Sequence, residues 1–288
     1  IALLTGIAAP DVAVVINVHP AHLEGFGDLQ MVAKEKLSIA EGLPKNGLLI
    51  INADMVKWLN YQLPVTNNRI MTFGKSDGSD YQARNIISDG SASRFTIDGT
   101  EVYLPLAGPG NVENTLAAWA VCSQFGLTID DFAQAVKTAS PAPMRAELLK
   151  IGTLTVLNDC YNANPASMKN ALHILSDLNS DGKRRSVFIC GDMAELGVHA
   201  EPLHVELGIS IAQAKVQLLL TVGKFAKITA EAAKTSAEYN LQIKCFEDTL
   251  SACNNLHEFI KDYDIILVKG SRIAGLEMAV EKLRQLFS

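Results

Sequence analysis

The 288-residue chain carries 25 Lys and Arg against 31 Asp and Glu, a formal net charge of −6, with 48% hydrophobic and 19% charged residues. That balance describes a globular chain long enough for two ordinary domain cores, and it offers no basic footprint for nucleic acid. The apolar runs, such as Val12–Ile16 and Leu218–Leu220, fall far short of the roughly 20 residues a membrane span needs.

In chain order, the pattern predicts a helix over Ile1–Ala9 running into a buried strand, Val12–Val18. The opening has no initiator Met, charged n-region or cleavage site, so it reads as a fragment that begins within a fold and not as a signal peptide. A helix is expected from Asp28, a residue suited to N-capping, and Gly47 precedes the apolar strand Leu48–Asn52. Strands are predicted at Ile70–Gly74 and Tyr81–Ile87. An alternating run from Ser93 to Leu106 folds at Asp98-Gly99, a hairpin signal. Helices follow at Val112–Phe125 and Ile129–Thr138. Pro141-Ala142-Pro143 then punctuates the chain, and a domain boundary is expected near Glu147, giving units of 1–147 and 148–288.

Beyond that point the pattern becomes regular. Strands at Thr153–Asn158, Ser186–Cys190, Val216–Val222, Ile243–Phe246 and Asp264–Val268 alternate with helices at Pro165–Leu178, His199–Ala214, Ala226–Thr235, Thr249–Lys261 and Ile273–Phe287. Such alternation predicts an α/β fold with a mostly parallel sheet covered on both faces. Five cysteines, an odd number without paired spacing, argue against a disulfide framework or a zinc site and fit a reducing cytoplasm.

In open α/β sheets ligands gather at the carboxyl ends of strands, which directs attention to four polar segments: His19–Gly27, Asn158–Ser167, Gly191–Gly197 and Lys269–Arg272. His19 and His22 can ligate a divalent metal with a nearby carboxylate; they also read as ordinary polar loop residues. Lys36 needs burial or a neighbouring cation to become a reactive amine, and otherwise reads as a solvated helix lysine. Asp159 suits a ribose hydroxyl or a metal-bound water. Asn162 or Asn164 suits the cap of the next helix, which leaves Tyr161 and the other Asn unexplained. Lys269, Ser271 and Arg272 favour an anion at a strand end. Gly108-Pro109-Gly110 lacks the third glycine of a dinucleotide fingerprint.

Taken together, AHLEGFG (Ala21–Gly27), VAKEK (Val32–Lys36), GNVENTLAAWA (Gly110–Ala120), MRAE (Met144–Glu147), NDCYNANPASM (Asn158–Met168), GDMAELG (Gly191–Gly197) and VKGSR (Val268–Arg272) resemble the Mur ligase family. The likeness covers essentially the whole chain. It is nearest to the branch that adds D-alanyl-D-alanine to UDP-N-acetylmuramoyl-tripeptide with ATP in peptidoglycan synthesis.

The resemblance implies the later part of a central mononucleotide-binding ATPase domain, followed by a Rossmann-like C-terminal domain. It implies ATP and Mg2+ as cofactors, a cytoplasmic monomer, and no nucleic-acid or membrane partner. By similarity His22 helps hold magnesium, and Lys36, preferred over Lys34, is carbamoylated and so becomes an oxygen ligand. Asn114, and less directly Asn111, meets adenine; Arg145 reaches ATP phosphate and Asp159 the ribose. Tyr161, Asn162, Asn164, Asp192, Lys269, Ser271 and Arg272 fall around the acceptor. The family's Gly-Lys-Thr/Ser phosphate loop, its UDP-binding domain and a metal-binding Glu are missing ahead of Ile1, so little ligase activity is expected of this polypeptide alone. Gly110 stands where relatives often carry His. A sibling amide ligase, such as another Mur ligase or a folylpolyglutamate synthase, and a non-catalytic nucleotide-binding module stay open as alternatives.

Overall fold

A computed structural model describes residues 1–55 and 68–288. They group into two compact units. The first comprises Ile1–Ser88, Ala92–Pro105 and Pro109–Ala139; the second comprises Asp89–Ser91, Leu106–Gly108 and Ser140–Ser288.

In the first unit β1 (Val12–Val15), β2 (Leu48–Asn52), β3 (Arg69–Gly74) and β4 (Tyr81–Gln82) form a parallel sheet in that order. Every residue of β2 is buried, which is why Leu48–Ile51 reads as an unbroken apolar run. Helices α1 (Ala2–Ala8), α2 (Leu23–Phe26) and α3 (Leu29–Leu37) flank β1 in sequence. Asp28 caps α3 as expected, its carboxylate accepting the Met31 amide at 2.8 Å.

Two strand predictions need correction here. β1 stops at Val15 and not Val18. The carbonyl of Asn17 turns to accept from Lys36 Nζ at 2.8 Å, and the Val18 amide meets the Met55 sulfur, so neither group is left for the ladder. Tyr81–Ile87 is two strands: β4 joins the parallel sheet, while β5 (Arg84–Ser88) pairs antiparallel with β6 (Ser93–Ile97), which pairs with β7 (Thr100–Leu104). Asp98 and Gly99, with φ of 50° and 84°, make the predicted tight turn between β6 and β7. Among the described residues two further helices belong to the unit, α4 (Pro109–Cys122) and α5 (Ile129–Val136), the second capped by Thr128.

The second unit is built on β8 (Glu147–Ile151), β9 (Leu154–Asn158), β10 (Ser186–Gly191), β11 (Leu218–Val222), β12 (Gln242–Phe246) and β13 (Ile265–Lys269). Their order is β12-β11-β10-β13-β9-β8, all neighbours parallel except β8 against β9. Helices α6 (Pro165–Leu178), α7 (Ala200–Gln213), α8 (Ala226–Ser236), α9 (Thr249–Phe259) and α10 (Glu277–Phe287) follow the strands. Alternate residues of β10 serve opposite faces: Phe188 packs with Met168, Leu207 and Ile211 from α6 and α7, while Val187 and Ile189 pack with Leu256 and Leu283 from α9 and α10. Both faces are covered, as the apolar strand pattern requires. β8 was not anticipated; Glu147–Ile151 reads as interdomain connection until its pairing with β9 across Gly152-Thr153 is seen.

The chain leaves β10 toward β11 on one side. On the other side α10, which follows β13, packs on β8 and β9. The crevice between the carboxyl ends of β10 and β13 is therefore a topological switch point, where α/β sheets accept ligands. Two glycines line it: a Cβ on Gly270 would lie 3.0 Å from the Gly191 Cα. Among the described residues no helix is long and apolar enough to cross a membrane, and the five cysteines are free thiols.

Candidate functional site

In the first unit the chemistry centres on Lys36. It lies half-buried on α3, with Nζ donating to Asn17 O at 2.8 Å and to Asn17 Oδ1 at 3.2 Å, whereas Lys34 on the same helix is exposed. Burial lowers the Lys36 pKa from its ordinary value and raises the fraction of neutral, nucleophilic amine. His19 shares this neighbourhood. Burial lowers its pKa, the Glu113 carboxylate opposes that shift, and the Lys36 charge adds to it. Glu113, on α4, also pairs with Lys75 at 2.8 Å.

His22 stands apart in character. It is exposed and holds a left-handed backbone, φ 55°, just before α2. Asn111 and Asn114 sit one turn apart on α4, so they share a face; Asn114 is exposed, and the Asn111 carbonyl accepts the Thr115 hydroxyl at 2.8 Å. Among the described residues no three His, Cys, Asp or Glu side chains converge as a ready metal site.

In the second unit Arg145 is exposed and lies over the Tyr161 ring, its guanidinium carbon 4.1 Å from the centroid. The turn that presents it is strained: Met144 and Ala146 on either side have φ of 59° and 49°. Three bonds hold that turn. The Met144 amide donates to Glu147 Oε2 at 3.1 Å, the Ala146 amide to Asp159 Oδ1 at 2.9 Å, and the Tyr161 amide to Met144 O at 3.2 Å. Asn158 reinforces them by donating to the same Glu147 oxygen at 3.0 Å. Cys160, within this motif, is fully buried; burial pushes its thiol up to about 11, so it stays protonated and donates to Asn158 Oδ1 at 3.0 Å.

Three of the residues expected around the acceptor are engaged within the protein. Lys269 is 1% exposed, and its ammonium donates to Asp159 Oδ2 at 2.6 Å, Asn162 O at 2.9 Å and Asp159 O at 3.3 Å. An ammonium has three protons and no further reach. Asn164 is engaged as the cap of α6, accepting the Ser167 amide at 2.9 Å in a reciprocal box with Ser167 Oγ. The Asn162 side-chain oxygen accepts the Ala163 amide at 2.8 Å, within its own loop.

Asp192 and Ser271 do come together. The Ser271 amide donates to Asp192 O at 2.9 Å, and both line a cavity of about 230 Å³ with Gly223, Glu247 and Thr249 at the carboxyl ends of β10, β11 and β12. Ser271 is 4% exposed, and among the described residues nothing hydrogen-bonds its hydroxyl. Both Asp192 carboxylate oxygens lie 3.2 Å from the Phe225 amide, and burial raises its pKa despite that donor. Arg272, exposed beside the cavity, pairs with Glu277 at 3.2 Å. Gly223 and His204 escape sequence reasoning, and Glu147 enters it only as part of a motif. For Gly223 a signal exists, since it adjoins a predicted strand end. His204 lies mid-helix with none.

Residues 2–122 match the Mur ligase middle domain, and residues 144–272 match the Mur ligase glutamate ligase domain. The chain belongs to the Mur ligase family. It is 34% identical, over 99% of its length, to the UDP-N-acetylmuramoyl-tripeptide–D-alanyl-D-alanine ligase of Escherichia coli, and 33% identical, over 98%, to that of Bacillus subtilis. The crystal structure of MurF from Acinetobacter baumannii superposes on 99% of the chain with a TM-score of 0.87 at 26% identity and is covered over 62% of its own length. The chain spans about three-fifths of the curated relatives' length, 62% and 61% respectively.

Proposed function

We propose that this chain supplies the nucleotide-facing and acceptor-binding parts of a cytoplasmic ATP-dependent amide ligase that joins D-alanyl-D-alanine to UDP-N-acetylmuramoyl-tripeptide. The observation that carries the reading is the meeting, at one edge of one sheet, of the three loops that follow β9, β10 and β13, each bearing a motif of that branch.

The reaction divides into two displacements. The tripeptide carboxylate attacks the γ-phosphorus of ATP; the bond to the ADP oxygen breaks and an acyl phosphate forms. The acceptor amine then attacks that carbonyl carbon, and the tetrahedral adduct collapses to amide and phosphate as the amine loses its proton. Arg145, exposed over the Tyr161 ring, meets the polyphosphate, and Asp159, whose Oδ1 accepts the Ala146 amide and Oδ2 the Lys269 ammonium, anchors the ribose with its remaining lone pairs. In the cavity, Asp192 orients the acceptor's ammonium. Ser271 and Arg272 receive the acceptor's carboxylate.

In the first unit the His22 imidazole and, were Lys36 to carry CO2, its carbamate oxygens would hold magnesium. Bound there, the ion would offset charge that develops on the transferred phosphoryl group. Before carbamoylation, Lys36 is a donor to Asn17 and offers no ligand atom.

The test is phosphate release by the ligase that carries this chain, with ATP, the UDP-muramoyl-tripeptide and a panel of amine acceptors. Release that requires D-alanyl-D-alanine supports the reading. Release with glutamate or another amino acid in its place assigns the chain to a sibling ligase, and no release overturns ligation altogether.

A further inference from the structure

His204 is the one fully buried imidazole among the described residues, 1% exposed in the middle of α7. Its two ring nitrogens have different partners. The Met193 amide donates to Nε2 at 3.1 Å, which requires an unprotonated nitrogen there, so the proton sits on Nδ1 and is donated to Ala200 O at 2.7 Å. The ring is therefore neutral and held in one tautomer. One face stacks on Phe225, centroids 4.5 Å apart and planes within 22°.

Two of those contacts, to Met193 and to Phe225, land next to Asp192. Met193 follows it in sequence, and the Phe225 backbone amide is the donor to its carboxylate. His204 Nε2 itself is 3.9 Å from Asp192 Oδ1 and carries no proton to share with it. An imidazole whose only task was filling space would be replaceable by a hydrocarbon at lower desolvation cost. Here it pins, from inside the core, the two loops between which the carboxylate is suspended.

We propose that His204 is a positioning residue for acceptor binding: it acts through Met193 and Phe225 to hold the Asp192 carboxylate at the mouth of the cavity. This rests on the reading of that cavity as the acceptor site. It predicts that function follows the Nε2 contact and not the bulk of the ring. His204→Gln can place an amide oxygen near the Nε2 position and keep the Met193 bond. His204→Asn reaches only the Nδ1 position and loses it.

The experiment has two arms. In the ligase that carries this chain, His204→Asn raises the KM for the acceptor about tenfold, the scale of one lost hydrogen bond, with kcat and the KM for ATP within about twofold. His204→Gln restores the acceptor KM to within about threefold. Equal acceptor KM values for the Asn variant and wild type overturn the proposal, and so do equal defects in both variants.

The second arm uses NMR on the chain itself and needs no turnover. The His204 ring nitrogens report Nδ1–H with bare Nε2 at neutral pH, and His204→Asn, unlike His204→Gln, shifts the Phe225 amide and the Asp192 carboxyl resonance. A proton found on Nε2 overturns the proposal even where the variants fold poorly. A wild-type enzyme with no acceptor dependence overturns the acceptor-site reading instead, while the second arm still decides whether His204 positions Asp192.

Discussion

The Lys269 ammonium lies 2.6 Å from Asp159 Oδ2 in the interior of the second unit, with 1% of the lysine side chain and 13% of the aspartate exposed. Through this pair the end of β13 holds the loop after β9, and the free oxygen of Asp159 in turn accepts the Ala146 amide beside Arg145. The ion pair is thus an internal strut behind the exposed residues.

Removing one partner strands the other. Lys269→Met is expected to destabilise the second unit by about 3 kcal/mol, because a buried carboxylate loses its counter-charge. Adding Asp159→Asn to that variant recovers part of the loss. Urea titration of the three proteins measures it; a double variant no more stable than the single one would show that the pair is not coupled.

Arg145→Lys keeps the charge and discards the guanidinium whose carbon lies 4.1 Å from the Tyr161 centroid. A stacked, bidentate donor becomes a flexible point charge. The KM for ATP should rise about tenfold, equivalent to losing roughly 1.4 kcal/mol, with the KM for the acceptor unchanged. Initial rates against both substrates separate the two.

Gly223 has φ 116°, and a Cβ there would meet Asp192 Oδ2 at 2.5 Å. Gly223→Ala therefore both strains the backbone and displaces the carboxylate. The expected result is an acceptor KM raised about tenfold and a stability loss of about 1–3 kcal/mol, read by kinetics and thermal unfolding together. A loss of stability alone would place Gly223 outside the acceptor site.

Acid stability carries the mark of His204. Burial holds its pKa below the ordinary 6.5, so between the two values the unfolded chain binds a proton that the folded chain does not. Stability then rises with pH up to about 6.5 and is lost as pH falls below it. Asp192 runs the other way: its pKa is raised above 3.8, and its contribution is lost as pH climbs through the raised value. Asp192 acts on this ring electrostatically, and Lys224 Nζ lies 5.2 Å from the centroid of the Phe225 ring that stacks on it. His204→Gln should flatten the stability profile between pH 6.5 and His204's lowered value; an unchanged slope in chemical denaturation would trace it to another group.

Lys36 makes a direct chemical prediction. A neutral amine adds CO2 to give a carbamate and a proton, and the lowered pKa favours that state. With 13C-bicarbonate the chain should show a carbamate carbon that disappears in Lys36→Arg and persists in Lys34→Arg. The same signal in both variants would move the modification elsewhere.

Much of this was legible in the residues because period and position carry physical information. The second unit's central strands are buried on both faces, so Val187–Cys190, Leu218–Val222 and Ile265–Val268 announce themselves as apolar runs. The polar loops behind them mark the carboxyl edge. What stayed hidden depends on pairing and depth. Glu147–Ile151 is a half-exposed edge strand whose pattern is weak until β9 is beside it. Lys269 reads as an exposed cation because nothing local reveals that Asp159, 110 positions away, draws it inward. His204 looks like any helix residue, and its role exists only through Met193 and Phe225.

The acyl phosphate is the step on which the account turns, and oxygen labelling tests it without assumptions about any side chain. With 18O in the terminal tripeptide carboxylate, the ligase carrying this chain should release phosphate containing one labelled oxygen for each amide formed. Unlabelled phosphate accompanying amide formation would mean that the carboxylate never bonds to phosphorus, and would contradict the reaction assigned here.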